Sequence, residues 1–177
     1  MKKWFFVFAI ASTFTAPTFA EGFYIGLDAG RARVSGDEDV PALKTTAVGI
    51  YGGYQFTKYL ATEVSYRDLG KKDVELFNDG SLSISGNVKA NTTGASVVAT
   101  LPIDEAFGLF ARLGYARTNA KINVPDFGIT VKDHINGALY GAGAHYVINK
   151  QFDVRAEYTR LNKADTNLFL VGVAYHF

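Results

Sequence analysis

The sequence has no cysteine, only 4 prolines among 177 residues, and no excess of charge of either sign, with 18 Lys+Arg against 17 Asp+Glu. Without cysteine the chain can form no disulfide framework, no cysteine-ligated metal site and no thiol nucleophile. The near-neutral balance argues against a nucleic-acid partner, since such proteins are usually basic. No run of about 18 apolar residues occurs after residue 20, so no membrane-spanning helix is expected. What is abundant is glycine (18), tyrosine (10) and phenylalanine (14), which favours β-structure.

The first 20 residues have the pattern of a secretory signal peptide. Lys2 and Lys3 precede a short apolar run, and Thr18 and Ala20 place small residues at a cleavage site. The apolar run is too short to cross a bilayer, which takes about 20 residues. We therefore predict a cleaved signal peptide at residues 1–20 and one exported domain at residues 21–177.

Apolar residues recur at every second position in eight later segments of the chain. The segments lie near residues 23–30, 47–55, 60–67, 94–101, 107–115, 137–146, 152–159 and 169–177. Each has roughly ten residues, the length with which a tilted strand crosses a membrane. The period of two predicts β-strands with one apolar face.

The face opposite the apolar one carries glycine, small residues and charge. Its charged or ionisable members are Asp28, Glu63, Arg67, Arg112, His145, Arg155 and Glu157. A soluble barrel would place its apolar face inside, but a charge facing lipid costs about 2–4 kcal/mol at the midplane. The sequence thus predicts an all-β fold, an eight-stranded antiparallel up-and-down transmembrane β-barrel, with apolar side chains facing outer-membrane lipids and charged ones facing the lumen.

The connections between these segments alternate in length. Short ones lie near Thr57, Pro102 and Asn149, and longer polar ones are expected as loops at about residues 31–44, 70–86 and 118–132. Short turns at one side and long loops at the other are typical of outer-membrane barrels. This arrangement places both termini at the periplasmic side.

Several segments resemble the membrane domain of the OmpA family. They are residues 49–56 with 61–70, which look like its second hairpin, and residues 110–114, 143–148, 154–158 and 171–177, which look like later strands. The resemblance implies a Gram-negative outer-membrane protein with a charge-paired lumen. It also implies that Val173, Tyr175 and Phe177 form a C-terminal signal read by the outer-membrane insertion machinery. The soluble peptidoglycan-binding domain of larger members is not expected here, since the sequence ends at Phe177.

The resemblance and the alternation together predict a lumenal ion-pair network of Asp28, Glu63, Arg112, His145, Arg155 and Glu157. Two positions depart from the family: His145 stands where an acid is typical, and Val98 where a lysine is typical. The network is therefore expected to be smaller or rewired. We interpret it as a plug of paired charges, since buried charges need partners and an eight-stranded interior has little spare room. A conducting or catalytic constellation is the alternative.

Other chemistry finds little support in the sequence. His134, His145 and His176 lack a compact metal-ligand spacing, and the acidic residues at 37–39 lack that of a calcium loop. No nucleotide-binding glycine motif is present, so no metal and no cofactor is expected. A lipid-modifying enzyme would need a serine supported by histidine, and no such pair is evident for Ser65 or Ser96. Lumenal glycines could leave a cavity for a hydrophobic ligand or make room for large lumenal side chains.

We therefore expect a non-enzymatic protein with a role in envelope integrity or adhesion. Its expected partners are outer-membrane lipids, lipopolysaccharide, the insertion machinery and, through its loops, host or surface ligands. The alternatives are a narrow pore for small solutes and a lipid-modifying enzyme.

Overall fold

The computed structural model of the chain describes residues 22–34, 43–78, 83–124 and 129–177. The predicted signal peptide and the acidic residues at 37–39 lie outside these ranges, and the domain boundaries stay a prediction. None of the described residues belongs to a helix long and apolar enough to cross a membrane. The described residues form eight strands: β1 Gly22–Val34, β2 Leu43–Thr57, β3 Leu60–Asn78, β4 Ser83–Pro102, β5 Phe107–Val124, β6 Ile129–Val147, β7 Phe152–Leu161 and β8 Thr166–His176.

The eight strands form one closed antiparallel barrel, which confirms the predicted fold. Each strand pairs with its neighbours in chain order, and β8 returns to β1. The closing register runs from Tyr24 opposite His176 to Val34 opposite Thr166. Closure leaves no free sheet edge, so backbone groups find partners without water, as a bilayer requires.

The orientation of the side chains also follows the prediction. On β5, Leu109 and Leu113 are 43% and 68% exposed, whereas Phe110 and Arg112 between them are 6% and 3% exposed. The other strands show the same alternation of exposed apolar and buried residues. The exterior is therefore apolar and the charged groups are enclosed.

Aromatic rings cluster on the exterior at the end of the barrel that carries the short turns, which we call the short-turn end. Phe23 packs edge to face on Tyr54 with ring centroids 4.9 Å apart, and Tyr175 packs on Phe152 and Phe177 at 5.2 and 5.1 Å. Such a girdle is typical of the membrane–water interface of a β-barrel.

A turn at this end is fixed by an aspartate. Asp104 accepts hydrogen bonds from the backbone N–H groups of Ala106 and Phe107 at 2.8 and 2.7 Å. These bonds favour the ionised carboxylate and lower the pKa of Asp104. The turn between β4 and β5 is thus held by local hydrogen bonds outside the membrane-spanning segments.

The prediction of long loops was wrong in extent. Most of residues 70–86 and 118–132 continue the strands, and β3 to β6 are 18 to 20 residues long. Beyond the membrane both faces of a hairpin meet water, so the apolar alternation by which strands are recognised disappears. These hairpins define the opposite end of the barrel, the long-hairpin end.

A bulge interrupts the pairing of β3 with β4 between Asp68 and Lys71. Gly70 has a φ of 81° there, a conformation that side chains rarely tolerate, and its N–H donates to Asp68 Oδ1 at 2.8 Å. The bulge resets the register, so that Lys71 lies directly opposite Lys89.

Candidate functional site: the barrel lumen

The lumenal charges come from the odd-numbered strands. β1 contributes Asp28, β3 contributes Glu63 and Arg67, β5 contributes Arg112, and β7 contributes Arg155 and Glu157. The even-numbered strands between them place glycine directly opposite these charged residues. Gly49 lies opposite Asp28 on one side and Arg67 on the other. Gly141 lies opposite Arg112, and Gly172 lies between Asp28 and Arg155. Alternating long and absent side chains around the circumference lets the charged groups meet across a narrow interior.

Glu63 is the centre of the network. Arg112 Nη2 donates to its Oε1 at 2.7 Å, and Arg155 Nη1 donates to its Oε2 at 2.7 Å. The Tyr24 hydroxyl also donates to Oε2, at 3.2 Å. Glu63 is 3% exposed, so these donors replace nearly all of its contact with water. One carboxylate thereby joins β1, β5 and β7 to β3.

Arg112 links this centre to Glu157. Its Nη2 lies 3.1 Å from Glu157 Oε2, and Thr159 Oγ1 donates to the other carboxylate oxygen of Glu157. Glu157 is 2% exposed. The second acid of the predicted set is thus also paired.

Arg155 is held by an aromatic ring as well as by charge. Its guanidinium carbon lies 3.4 Å from the centroid of the Tyr51 ring, a close cation–π contact. The Tyr51 ring occupies the space that a Cβ at Gly26 would fill. The Tyr24 ring similarly lies over Gly53. These lumenal glycines make room for large side chains, one of the two interpretations considered above.

Arg67 completes the network, and the predicted set omitted it. Its Nε and Nη2 donate to Asp28 Oδ2 at 3.0 and 2.9 Å, and both side chains are at most 1% exposed. A Cβ at Gly49 would lie 2.5 Å from the Arg67 side chain and 2.6 Å from Asp28 Oδ1. With Arg67 included, three arginines face Asp28, Glu63 and Glu157, and the buried charge balances.

His145 does not lie within these ion pairs. Its ring stacks on Phe110 at a centroid distance of 6.4 Å, over Gly108, toward the short-turn end. Val98, where the family carries lysine, packs in an apolar cluster with Phe110 and Ala61. The departures at His145 and Val98 thus replace charge with ring and methyl contacts, and Arg67 rather than His145 supplies the third cation.

A second, partly buried pair lies at the short-turn end, where none was predicted from the sequence. His176 Nε2 lies 2.6 Å from Asp153 Oδ2, and Tyr24 stacks on the His176 ring at 5.3 Å. A cavity of about 100 Å³ opens here, with Arg155 and Phe110 among its lining residues. Such a volume is large enough for water.

The lumen is not polar throughout, contrary to the expected mixture of glycine, small residues and charge. An apolar cluster fills it on the long-hairpin side of the ion pairs: Ala32, Ala47, Leu69, Ala116, Leu139, Leu161, Leu168 and Leu170. Its four leucines on β6, β7 and β8 are at most 2% exposed. The ion pairs therefore lie beneath a layer of packed hydrocarbon.

Within the described ranges, no three His, Asp or Glu side chains are grouped so that they could hold a metal ion. Val173 faces outward on β8, and Phe177 is 76% exposed at the short-turn end. Recognition of Val173, Tyr175 and Phe177 by the insertion machinery stays a prediction.

A closed eight-stranded barrel with an apolar exterior and a charge-paired interior defines the class of small outer-membrane β-barrels. The family model described as the outer membrane protein beta-barrel domain matches residues 6–177, and the chain belongs to this family. It is 30% identical to Outer membrane protein A of Shigella flexneri over 143 residues, which cover 73% of this chain and 39% of that protein. The predicted OmpA-like outer-membrane barrel is thereby confirmed, and the match spans about two fifths of the relative's length.

Solved structures show the same fold. Neisserial surface protein A superposes with a TM-score of 0.67 at 19% identity, covering 88% of this chain and 97% of that one. Ail of Yersinia pestis, in complex with the heparin analogue sucrose octasulfate, superposes with a TM-score of 0.64 at 23% identity, covering 89% and 99%. At these identities the likeness concerns the fold alone.

Proposed function

We propose that the protein is a closed, non-enzymatic barrel that contributes to envelope integrity and presents its long hairpins to ligands at the cell surface. The observation that carries the proposal is the neutral cluster of Asp28, Glu63, Glu157 and three arginines, which fills the middle of the lumen with side chains at most 9% exposed. The short-turn end, where β1 begins and β8 ends, is periplasmic in this proposal, and the long-hairpin end is extracellular.

A lumen of this kind opposes ion flow in two ways. Each guanidinium and carboxylate lies within 3.1 Å of an opposite charge, so a passing ion would have to displace a paired group. The leucine side chains next to the pairs offer an ion no polar ligand. Both barriers favour a structural plug over the narrow-pore alternative.

Planar-bilayer recordings of the purified protein test this plug. We expect no stable channels, because the paired charges and the leucine layer leave no continuous aqueous path. A mock preparation from cells lacking the protein is the control for contaminating porins. Stable channels whose ion selectivity changes in an Arg155→Gln variant would establish a pore through this lumen and contradict the plug.

The register of the strands argues against a lipid-modifying serine hydrolase. Ser96 is level with Gly114 on β5, whereas His145 is level with Gly108, six residues away. Six residues of strand span about 20 Å, far beyond hydrogen-bond reach. Ser65 Oγ instead accepts a bond from Arg67 at 3.1 Å. This geometry supports the proposal that the protein is not an enzyme.

The hairpins support a surface role. β3 to β6 extend beyond the apolar band, and loops held by a rigid barrel are suited to binding. The similar barrel Ail has been solved with a heparin analogue, a densely charged anion. Host or surface ligands that meet the hairpins are accordingly proposed as partners of this chain, together with outer-membrane lipids.

A further inference from the structure

Four lysines lie side by side across four consecutive strands near the long-hairpin end. Lys71 on β3 lies directly opposite Lys89 on β4, Lys89 opposite Lys121 on β5, and Lys121 opposite Lys132 on β6. All four residues are exposed. We call these four residues the lysine row.

The lysine row points away from the barrel axis. Lys121 has the same parity on β5 as Leu113 and Tyr115, which are 68% and 61% exposed on the exterior. Residues directly opposite one another on antiparallel strands share a face, so the other three lysines point the same way. The bulge at Gly70 brings Lys71 into this row.

Such a row is unfavourable for the isolated barrel, because like charges directly opposite each other on neighbouring strands are destabilising. Asp68 approaches the row, with its Oδ2 3.4 Å from Lys89 Nζ. Toward the membrane, Arg117 adds another exposed cation on the same face of β5. A surface that retains this arrangement despite its cost is expected to face an external anion.

The height of the row on the barrel identifies the anion. Lys121 follows Tyr115, near the edge of the apolar band, by six residues, or about 20 Å along a tilted strand. At a strand tilt of about 35–45° this is about 15 Å of height, so the row lies beside the barrel about 15 Å outside the hydrocarbon, rather than only at the hairpin tips. With the long hairpins extracellular, the phosphorylated sugars of lipopolysaccharide occupy that position.

We propose that the lysine row binds the phosphate groups of lipopolysaccharide in the surrounding outer leaflet. The inference rests on the orientation given in the proposed function. Lysine ammonium groups bind phosphate as point charges, and several in a line can engage several phosphates at once. The interaction would secure the barrel laterally in its leaflet.

The test compares two double variants with equal loss of charge. Lys121→Gln/Lys132→Gln removes half of the row, and Lys58→Gln/Lys150→Gln removes two lysines from the short-turn end. Binding of purified rough-type lipopolysaccharide to the folded protein in zwitterionic micelles is measured by titration. At about 1 kcal/mol for each cation facing an anionic surface, we expect the first variant to bind about ten- to thirtyfold more weakly and the second to bind as the parent does.

A single charge reversal separates binding from folding. Lys121→Glu places a carboxylate between Lys89 and Lys132, where it gains two favourable cross-strand neighbours. We expect this variant to resist urea at least as well as the parent while it loses lipopolysaccharide affinity. A general defect in folding would lower both.

Three results would overturn the proposal: equal weakening by the two double variants, undiminished binding of dephosphorylated lipopolysaccharide, or loss of heparin binding with lipopolysaccharide binding intact. The last would assign the row to sulfated polysaccharides. Failure of the proposed closed barrel would appear separately, as channels in the bilayer recordings with lipopolysaccharide binding unchanged.

Discussion

Replacing Glu63 with glutamine is expected to lower the free energy of unfolding by about 3–5 kcal/mol, the cost of breaking a buried ion pair by removing one partner. Glu63 accepts bonds from both Arg112 and Arg155, so the variant leaves a net positive charge in a lumen that water barely reaches. Glutamine is similar in shape to glutamate, so lost packing contributes little.

Urea unfolding in lipid vesicles, followed by far-ultraviolet circular dichroism, measures this effect. Tryptophan fluorescence is unsuitable because Trp4, the sole tryptophan, lies in the predicted signal peptide. The matched control is Glu63→Gln/Arg155→Gln, which restores charge balance and should lose much less stability than the two single variants combined. An unchanged unfolding midpoint in Glu63→Gln would show that the lumen is hydrated.

Leu113→Arg on β5 is expected to cost about 2–4 kcal/mol and to impair folding into vesicles. Leu113 is 68% exposed, so the same change on a water-soluble protein would have little effect. Here the exposed face meets hydrocarbon, which solvates a guanidinium poorly. The folded fraction is measured by the heat-modifiable mobility of the barrel on gels.

Ile103→Arg is the matched control for this prediction. Ile103 is 55% exposed but lies in the turn after β4, near the membrane interface, where a charge costs about 0–1 kcal/mol. We expect this variant to fold like the parent. Normal folding of Leu113→Arg would show that its face does not meet lipid.

The strands and their orientation could be predicted because a bilayer imposes a period of two on every crossing. The alternation from Leu109 to Tyr115 reports directly which side of β5 meets lipid. The ends of the strands could not be predicted, because hairpins in water keep their backbone pairing without that constraint. The residues of the long hairpins thus have the composition of loops although they form strands.

The lumenal contacts could be predicted only in part, because they depend on register. Asp28 and Arg67 meet across Gly49, a relation between three strands that one sequence does not reveal. Charge balance could have predicted this pair, because Arg67 lies on the predicted lumenal face and a buried Asp28 needs a cation. The pair of Asp153 with His176 and the leucine layer likewise result from side chains on neighbouring strands.

The central claim, that apolar side chains face lipid while charged ones are enclosed, can be tested by spin labelling at single cysteines. The chain has no native cysteine, so positions 109, 110, 111, 113 and 115 on β5 can be labelled in turn. Arg112 keeps its ion pairs, and Gly114, where a Cβ would meet the backbone of β4, stays unchanged. In vesicles, collisions of the label with lipid-soluble oxygen should be frequent at positions 109, 111, 113 and 115 and rare at position 110. The opposite alternation, or none, would contradict the account.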